Sequence, residues 1–129
     1  MMTLRTHIKQ VLIFCLFSFL IFFSSFIKLY AEEIQWVEID KTSNGMQFID
    51  ANSIKYNNRG FLSVRTKYSE INPDDQTIMS TNSYLMAIDC ENRLFSKLPV
   101  NGDPSKVENW ENPVNDKLTK KTIINSCTY

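Results

Sequence analysis

The sequence predicts an α+β fold, an antiparallel meander of about five to six strands with a C-terminal helix tied to the sheet by a disulfide. Three observations carry that expectation. Short runs rich in β-branched and aromatic residues alternate with Asn/Gly turns from Ile34 to Leu98. The last stretch, Val114 to Cys127, follows a proline and spaces its lysines as an exposed helix face would. Two cysteines remain beyond an export-type leader, Cys90 and Cys127, and an even pair in a small exported domain reads first as a disulfide.

The leader comes first in the chain. Residues 1–10 carry Arg5, His7 and Lys9 and no acid, and Val11 to Ile27 is free of charge. A basic start, an apolar core and the small residue Ala31 compose a three-part export signal. The domain division is therefore 1–31 as leader and 32–129 as exported domain. Leu29 and Tyr30 are bulky for a cleavage junction, and the run 11–27 nearly reaches the roughly 18 residues of a spanning helix. An uncleaved inner-membrane anchor is the alternative. Cys15, in the middle of the run, reads as a small apolar filler.

The leader holds three of the 14 basic side chains and none of the 14 acidic ones, which leaves residues 32–129 at a net charge of −3. Their basic residues are scattered, whereas a phosphate-binding groove needs them clustered, so nucleic acid is not an expected partner. The single histidine, His7, lies in the leader. Residues 32–129 therefore lack the histidine of Ser-His and Cys-His nucleophiles and of histidine metal sites. Gly45, Gly60 and Gly102 are too far apart for a phosphate loop. Neither cofactor nor metal is expected.

Within the domain, Ile34–Asp40 reads as the first strand and Met46–Ile49 as its return, with Asn44-Gly45 as the hairpin signal. Asp50 is placed to cap a short turn through Ile54. Asn57 to Gly60 makes a second turn. In the next strand Leu62, Val64, Thr66 and Tyr68 share one face, and Ser63, Arg65 and Lys67 share the wet one. A long strand from Ile78 to Cys90 puts Tyr84, Met86, Ile88 and Cys90 on one face, and Arg93–Leu98 pairs back on it. Helix is expected over Val114 to Cys127, with Pro113 suiting its start and with Ile124 and Cys127 on one face, although Thr122-Ile123-Ile124 would also suit a strand. A bond between Cys90 and Cys127 would stabilise the domain by roughly 3–4 kcal/mol through loop closure.

Taken in order, Trp36, Phe48-Ile49-Asp50, Ser53-Ile54, Tyr84, Asp89-Cys90-Glu91-Asn92-Arg93, Trp110-Glu111-Asn112-Pro113 and Cys127 resemble the bacterial surface-adhesin protein E-like domain family. The resemblance covers nearly all of residues 34–127. It implies an antiparallel sheet with a C-terminal helix tied on by the disulfide, in small exported proteins of Gram-negative envelopes. The best-known member is an adhesin for host extracellular-matrix proteins; that activity is not carried over, because no binding motif here matches it. Phe48 stands where a tyrosine is common, and the 100–109 loop is short and polar.

Four residues form the possible binding surface: Trp36 and Trp110, because aromatic side chains are enriched where proteins bind, and Arg65 and Lys67 on the wet face. Asp74 and Asp75 with Asn72 and Glu70 read as a solvated loop rather than a calcium site. Asp50 reads as a cap, and Asp89 and Glu91 as water-facing. The expected function is a non-catalytic envelope protein of binding or adhesion type, with a protein or other envelope ligand as partner and a homo-oligomer as one possible assembly. A membrane-tethered accessory subunit is the second reading, and a hydrolase using only Asp50, Asp89 and Glu91 is a distant third. The expected location is the periplasm or the cell surface.

Overall fold

The computed structural model describes residues 2–26 and 32–129. The cleavage junction expected at Leu29-Tyr30-Ala31, and Lys28 before it, lie outside the described residues. Helix α1 runs Met2–Phe26. Its segment Thr3–Ser24 is long and apolar enough to cross a membrane, and none of that segment is buried. Residues Glu32–Tyr129 form a separate compact unit.

That unit is a six-stranded antiparallel sheet: β1 Trp36–Lys41, β2 Gly45–Asp50, β3 Lys55–Tyr56, β4 Leu62–Ile71, β5 Ile78–Asp89 and β6 Leu94–Leu98, followed by helix α2, Lys117–Cys127. The spatial order is β1-β2-β4-β5-β6, with β3 paired to β4. Strands β2 and β3 lie end to end along one edge of β4, opposite Thr66–Glu70 and Leu62–Ser63 respectively. Between them Ala51–Ser53 makes a single 3-10 turn. Asp50 dictates that break. Its carboxylate accepts from the Asn52 N–H at 3.1 Å and the Gln35 N–H at 2.9 Å, which satisfies two backbone donors where the ladder stops.

The sheet uses the period of 2 that the sequence shows. Ile49, Leu62, Val64, Met86, Ile88 and Phe95 share one face and pack with Ile123 of α2 as the core. In β4 the burial alternation holds from Leu62 to Lys67, then changes phase, so that Ser69 and Ile71 are buried while Tyr68 is only half-buried. The bond between Cys90, just past β5, and Cys127, at the end of α2, is present. It joins the helix to the sheet over the core.

Three expectations need correction. The C-terminal helix begins at Lys117 rather than at Val114, because Pro113–Asp116 forms a turn (Asp116 N–H to Pro113 C=O, 3.2 Å) and the Asp116 side chain caps the helix. The buried stripe of α2 is Thr119, Thr122, Ile123 and Ser126, and Ile124 is half exposed. That stripe follows the i, i+3, i+4, i+7 spacing of a helix face, and it settles the strand alternative for Thr122–Ile124. The first hairpin also differs. Thr42, Ser43 and Asn44 make the turn, the Thr42 hydroxyl accepts from the Asn44 and Gly45 N–H groups, and Gly45 already belongs to β2. Gly45 is needed for a different reason: a Cβ there would overlap the ring and hydroxyl of Tyr68.

Two expected outcomes follow. Cys90→Ser should cost about 2–5 kcal/mol, read as a lowered Tm in non-reducing buffer; an unchanged Tm would contradict the bridge. Gly45→Ala should cost about 1–3 kcal/mol by overpacking. Measured by chemical denaturation in the Tyr68→Ala background, the same Gly45→Ala change should cost less than it does in the native chain.

Candidate functional site

The four residues singled out in the sequence do not form one surface. Trp36 and Lys67 do meet. Register pairs Phe48 with Lys67 across β2 and β4, and the Lys67 ammonium lies 4.5 Å from the Trp36 ring centroid and 4.6 Å from that of Phe48. Such a contact is worth about 0.5–1 kcal/mol at an exposed site, so this lysine is engaged within the sheet. Arg65, on the same face, forms an ion pair at 3.2 Å with Asp50, which is 2% exposed. Trp110 stacks on Phe61 at 4.8 Å between ring centroids. Phe61 precedes Lys67 along the chain by six residues, roughly 20 Å of strand. Each of the four side chains therefore already has an intramolecular partner.

Two of the three carboxylates weighed for acid/base chemistry, Asp50 and Asp89, are likewise engaged. Asp50 is the cap and ion-pair hub described above. Asp89 accepts from the Asn92 backbone at 3.2 Å and from its side-chain amide at 2.8 Å, closing the β5–β6 turn that carries the exposed Glu91. Asp75 accepts from the Thr77 hydroxyl at 2.6 Å, and that bond and the Thr77 N–H lower its pKa. Among the described residues no group of three His, Cys, Asp or Glu side chains is placed to hold a metal ion.

A different place gathers several polar side chains around an open space. A cleft of about 550 Å³ opens on the helix-covered face, between the strands and the first turn of α2, lined by Gln47, Tyr68, Asn82, Tyr84, Lys97 and Asp116 among others. Gln47 is 4% exposed, and its amide donates to the Tyr84 hydroxyl at 3.1 Å. The Thr66 hydroxyl bonds the Tyr84 carbonyl at 3.0 Å, which anchors that strand position from the neighbouring strand. Lys97, from β6, holds its ammonium 5.2 Å from the Tyr84 ring centroid. Asp116 stands on the rim as the cap of α2, accepting from the Thr119 N–H at 3.0 Å and from its hydroxyl at 2.6 Å. Burial works to raise the Asp116 pKa; the two Thr119 bonds and the Lys97 charge outweigh it, and the net shift is downward. Lys97 and Asp116 thus feel each other's charge, yet they do not close into an ion pair.

The sequence hides this cleft because its residues come from β2, β4, β5, β6 and the cap of α2 and share no local spacing. The one visible signal was alternation, which put Tyr68 and Tyr84 on the core face, where an unfilled end of that face would expose them.

Compared with known proteins, residues 37–129 match the family described as the surface adhesin-E family. Among curated proteins and solved structures nothing matches.

Asp116 gives a test of how the cleft rim is held. Its folded pKa is depressed, so its contribution to stability is present above the unfolded value of about 3.9 and is lost as pH falls through the folded value. Asp116→Ala should cost about 1 kcal/mol at pH 7. Denaturation at a series of pH values should show the gap between wild type and variant narrowing below about pH 4.

Proposed function

This chain belongs to the surface adhesin-E family, and from that premise we propose that it is an exported, non-catalytic binding module of the cell envelope that holds a partner at the cleft beside α2. The observation that carries the reading is the extent of the match: residues 37–129 take in nearly the whole sheet, the helix and both bridged cysteines. The cleft supports the location. Its lining combines two tyrosines, a buried amide and two opposite charges, the mix of apolar surface and a few placed polar groups that binding sites use. It offers recognition without a paired nucleophile and base.

A second reading is favoured by α1. Its span Thr3–Ser24 could remain as an anchor, which would make the chain a membrane-tethered accessory subunit.

The intact mass of the natively exported protein separates the two readings. The expected result is a chain beginning at Glu32 and lighter by two hydrogens than its reduced form; retention of residues 1–31 would favour the tether. A cell attachment assay tests the binding role. Cells lacking the gene should attach less than wild type, and complementation with Lys97→Glu should restore attachment less well than complementation with the native chain. Equal attachment by the deletion strain would remove the adhesion reading.

A further inference from the structure

The long strand β5 outruns its neighbour. It pairs with β4 from Ile78 onward, but β6 pairs only with Leu85–Asp89, and Pro99 turns the chain away after Leu98. Ile78–Ser83 is exposed throughout, with Ile78 59% and Met79 54% accessible. Among the described residues no strand pairs with this edge. Edges are commonly blunted by lysine, proline or inward-pointing charge, yet residues 78–83 contain none of these.

The direction of the free backbone groups follows from the next strand over. Phe95 exchanges both backbone bonds with Glu111, N–H to C=O at 3.0 and 2.8 Å, so it points away from β5. Antiparallel pairs alternate between bonded and non-bonded. The Phe95–Ile88 pair is therefore non-bonded, and Leu85, Ala87 and Asp89 turn their N–H and C=O groups toward β6. Continuing that row, Thr81 and Ser83 turn theirs to the open edge. The β4–β5 register shift lies beyond them, between Glu70 and Ile71.

This edge and the cleft are continuous. Asn82 and Tyr84 line the cleft from β5, and Lys97, Leu98 and Pro99 line it where β6 stops. A strand added beside Thr81–Ser83 would occupy the path that β6 abandons. Residues opposite one another in a sheet point to the same face, so its side chain beside Asn82 would enter the cleft. There Lys97 presents ammonium donors and Asp116 carboxylate acceptors that are not bonded to each other, and a side-chain amide offers the matching C=O and NH₂.

We propose that the open edge of β5 binds an extended, uncharged segment of a partner protein by strand addition, with a glutamine of that segment seated in the cleft between Lys97 and Asp116. The main-chain bonds at Thr81 and Ser83 supply affinity and the cleft supplies selectivity. A second copy fits less well. Its own Ile78–Ser83 carries no glutamine to place between the two charges.

The proposal rests on the binding-module reading above and is tested separately from it. The probe is a capped seven-residue peptide of alternating threonine and valine with a central glutamine, titrated into the full chain in mild detergent. A matched peptide carries alanine at the centre. The glutamine peptide should slow hydrogen exchange of the Thr81 and Ser83 amides at least tenfold and bind several-fold tighter than the alanine peptide. Thr81→Pro removes one outward N–H at an edge position that tolerates proline, and it should weaken both peptides about tenfold. Lys97→Met should erase the preference for glutamine and leave the alanine peptide bound. Absence of protection at Thr81 and Ser83, equal affinity for Thr81→Pro, or protection that rises with protein concentration alone (a second copy in the slot) would each overturn it. If deleting the gene lowers attachment while Thr81→Pro cells attach as wild type does, strand addition falls and the module reading stands.

Discussion

The domain depends on how α2 is held against the sheet. The helix has 11 residues, too few to be stable alone in water. Its buried stripe contains one large hydrophobic residue, Ile123, among two threonines and a serine. Burying one isoleucine yields about 1.5–3 kcal/mol, little for an element that closes the core. The remaining ties are specific: the Cys90–Cys127 bond at one end, the Asp116 cap at the other, and the Lys121 ammonium on the Asp40 carboxylate at 2.7 Å, which reaches back to β1. The small buried residues let the helix lie close to the strands, and the Thr122 hydroxyl bonds the Leu118 carbonyl at 2.8 Å rather than remaining orphaned.

The same seating divides the helix-covered face in two. Where Ile123 and Cys127 lie, the face is filled by Ile49, Leu62, Val64, Met86 and Ile88. Beyond the helix start those positions give way to Gln47, Tyr68 and Tyr84, and the space is left open. The other face of the sheet is self-satisfied, with Lys67 between two aromatic rings and Arg65 on Asp50. On the proposed reading, a packed sheet with one unfilled end limits the side chains that must be ordered when a partner arrives.

Much of this was legible in the residues. Alternation from Leu62 to Thr66 and at Met86 and Ile88 placed the core face, Asp50 was recognised as a cap, and the two cysteines gave the bridge. The helix face was misread because a stripe of threonine and serine leaves almost no hydrophobic pattern, so exposed Ile124 drew the assignment that belongs to Ile123. Asn44-Gly45 is a hairpin signal that assigns the glycine to the turn, but a glycine can be required by a neighbour 23 residues away as well as by its own dihedral angles, and Tyr68 is that neighbour. The cleft could not be read, since it exists only where five elements converge. Trp36, Arg65 and Lys67 looked available because a sequence shows charge and aromaticity but not which neighbour in the fold already engages them.

The bridge has a consequence for timing. A thiol pair in a reducing compartment stays open, and a short helix resting on one isoleucine would then be loosely held. Lys97 and Gln47 would keep their places on the strands, but Asp116 and Thr119, which form the far wall of the cleft, travel with the helix. Oxidation therefore does more than strengthen the fold. On the proposed reading it also sets the far wall of the cleft, so a chain in a reducing compartment would present only half of it.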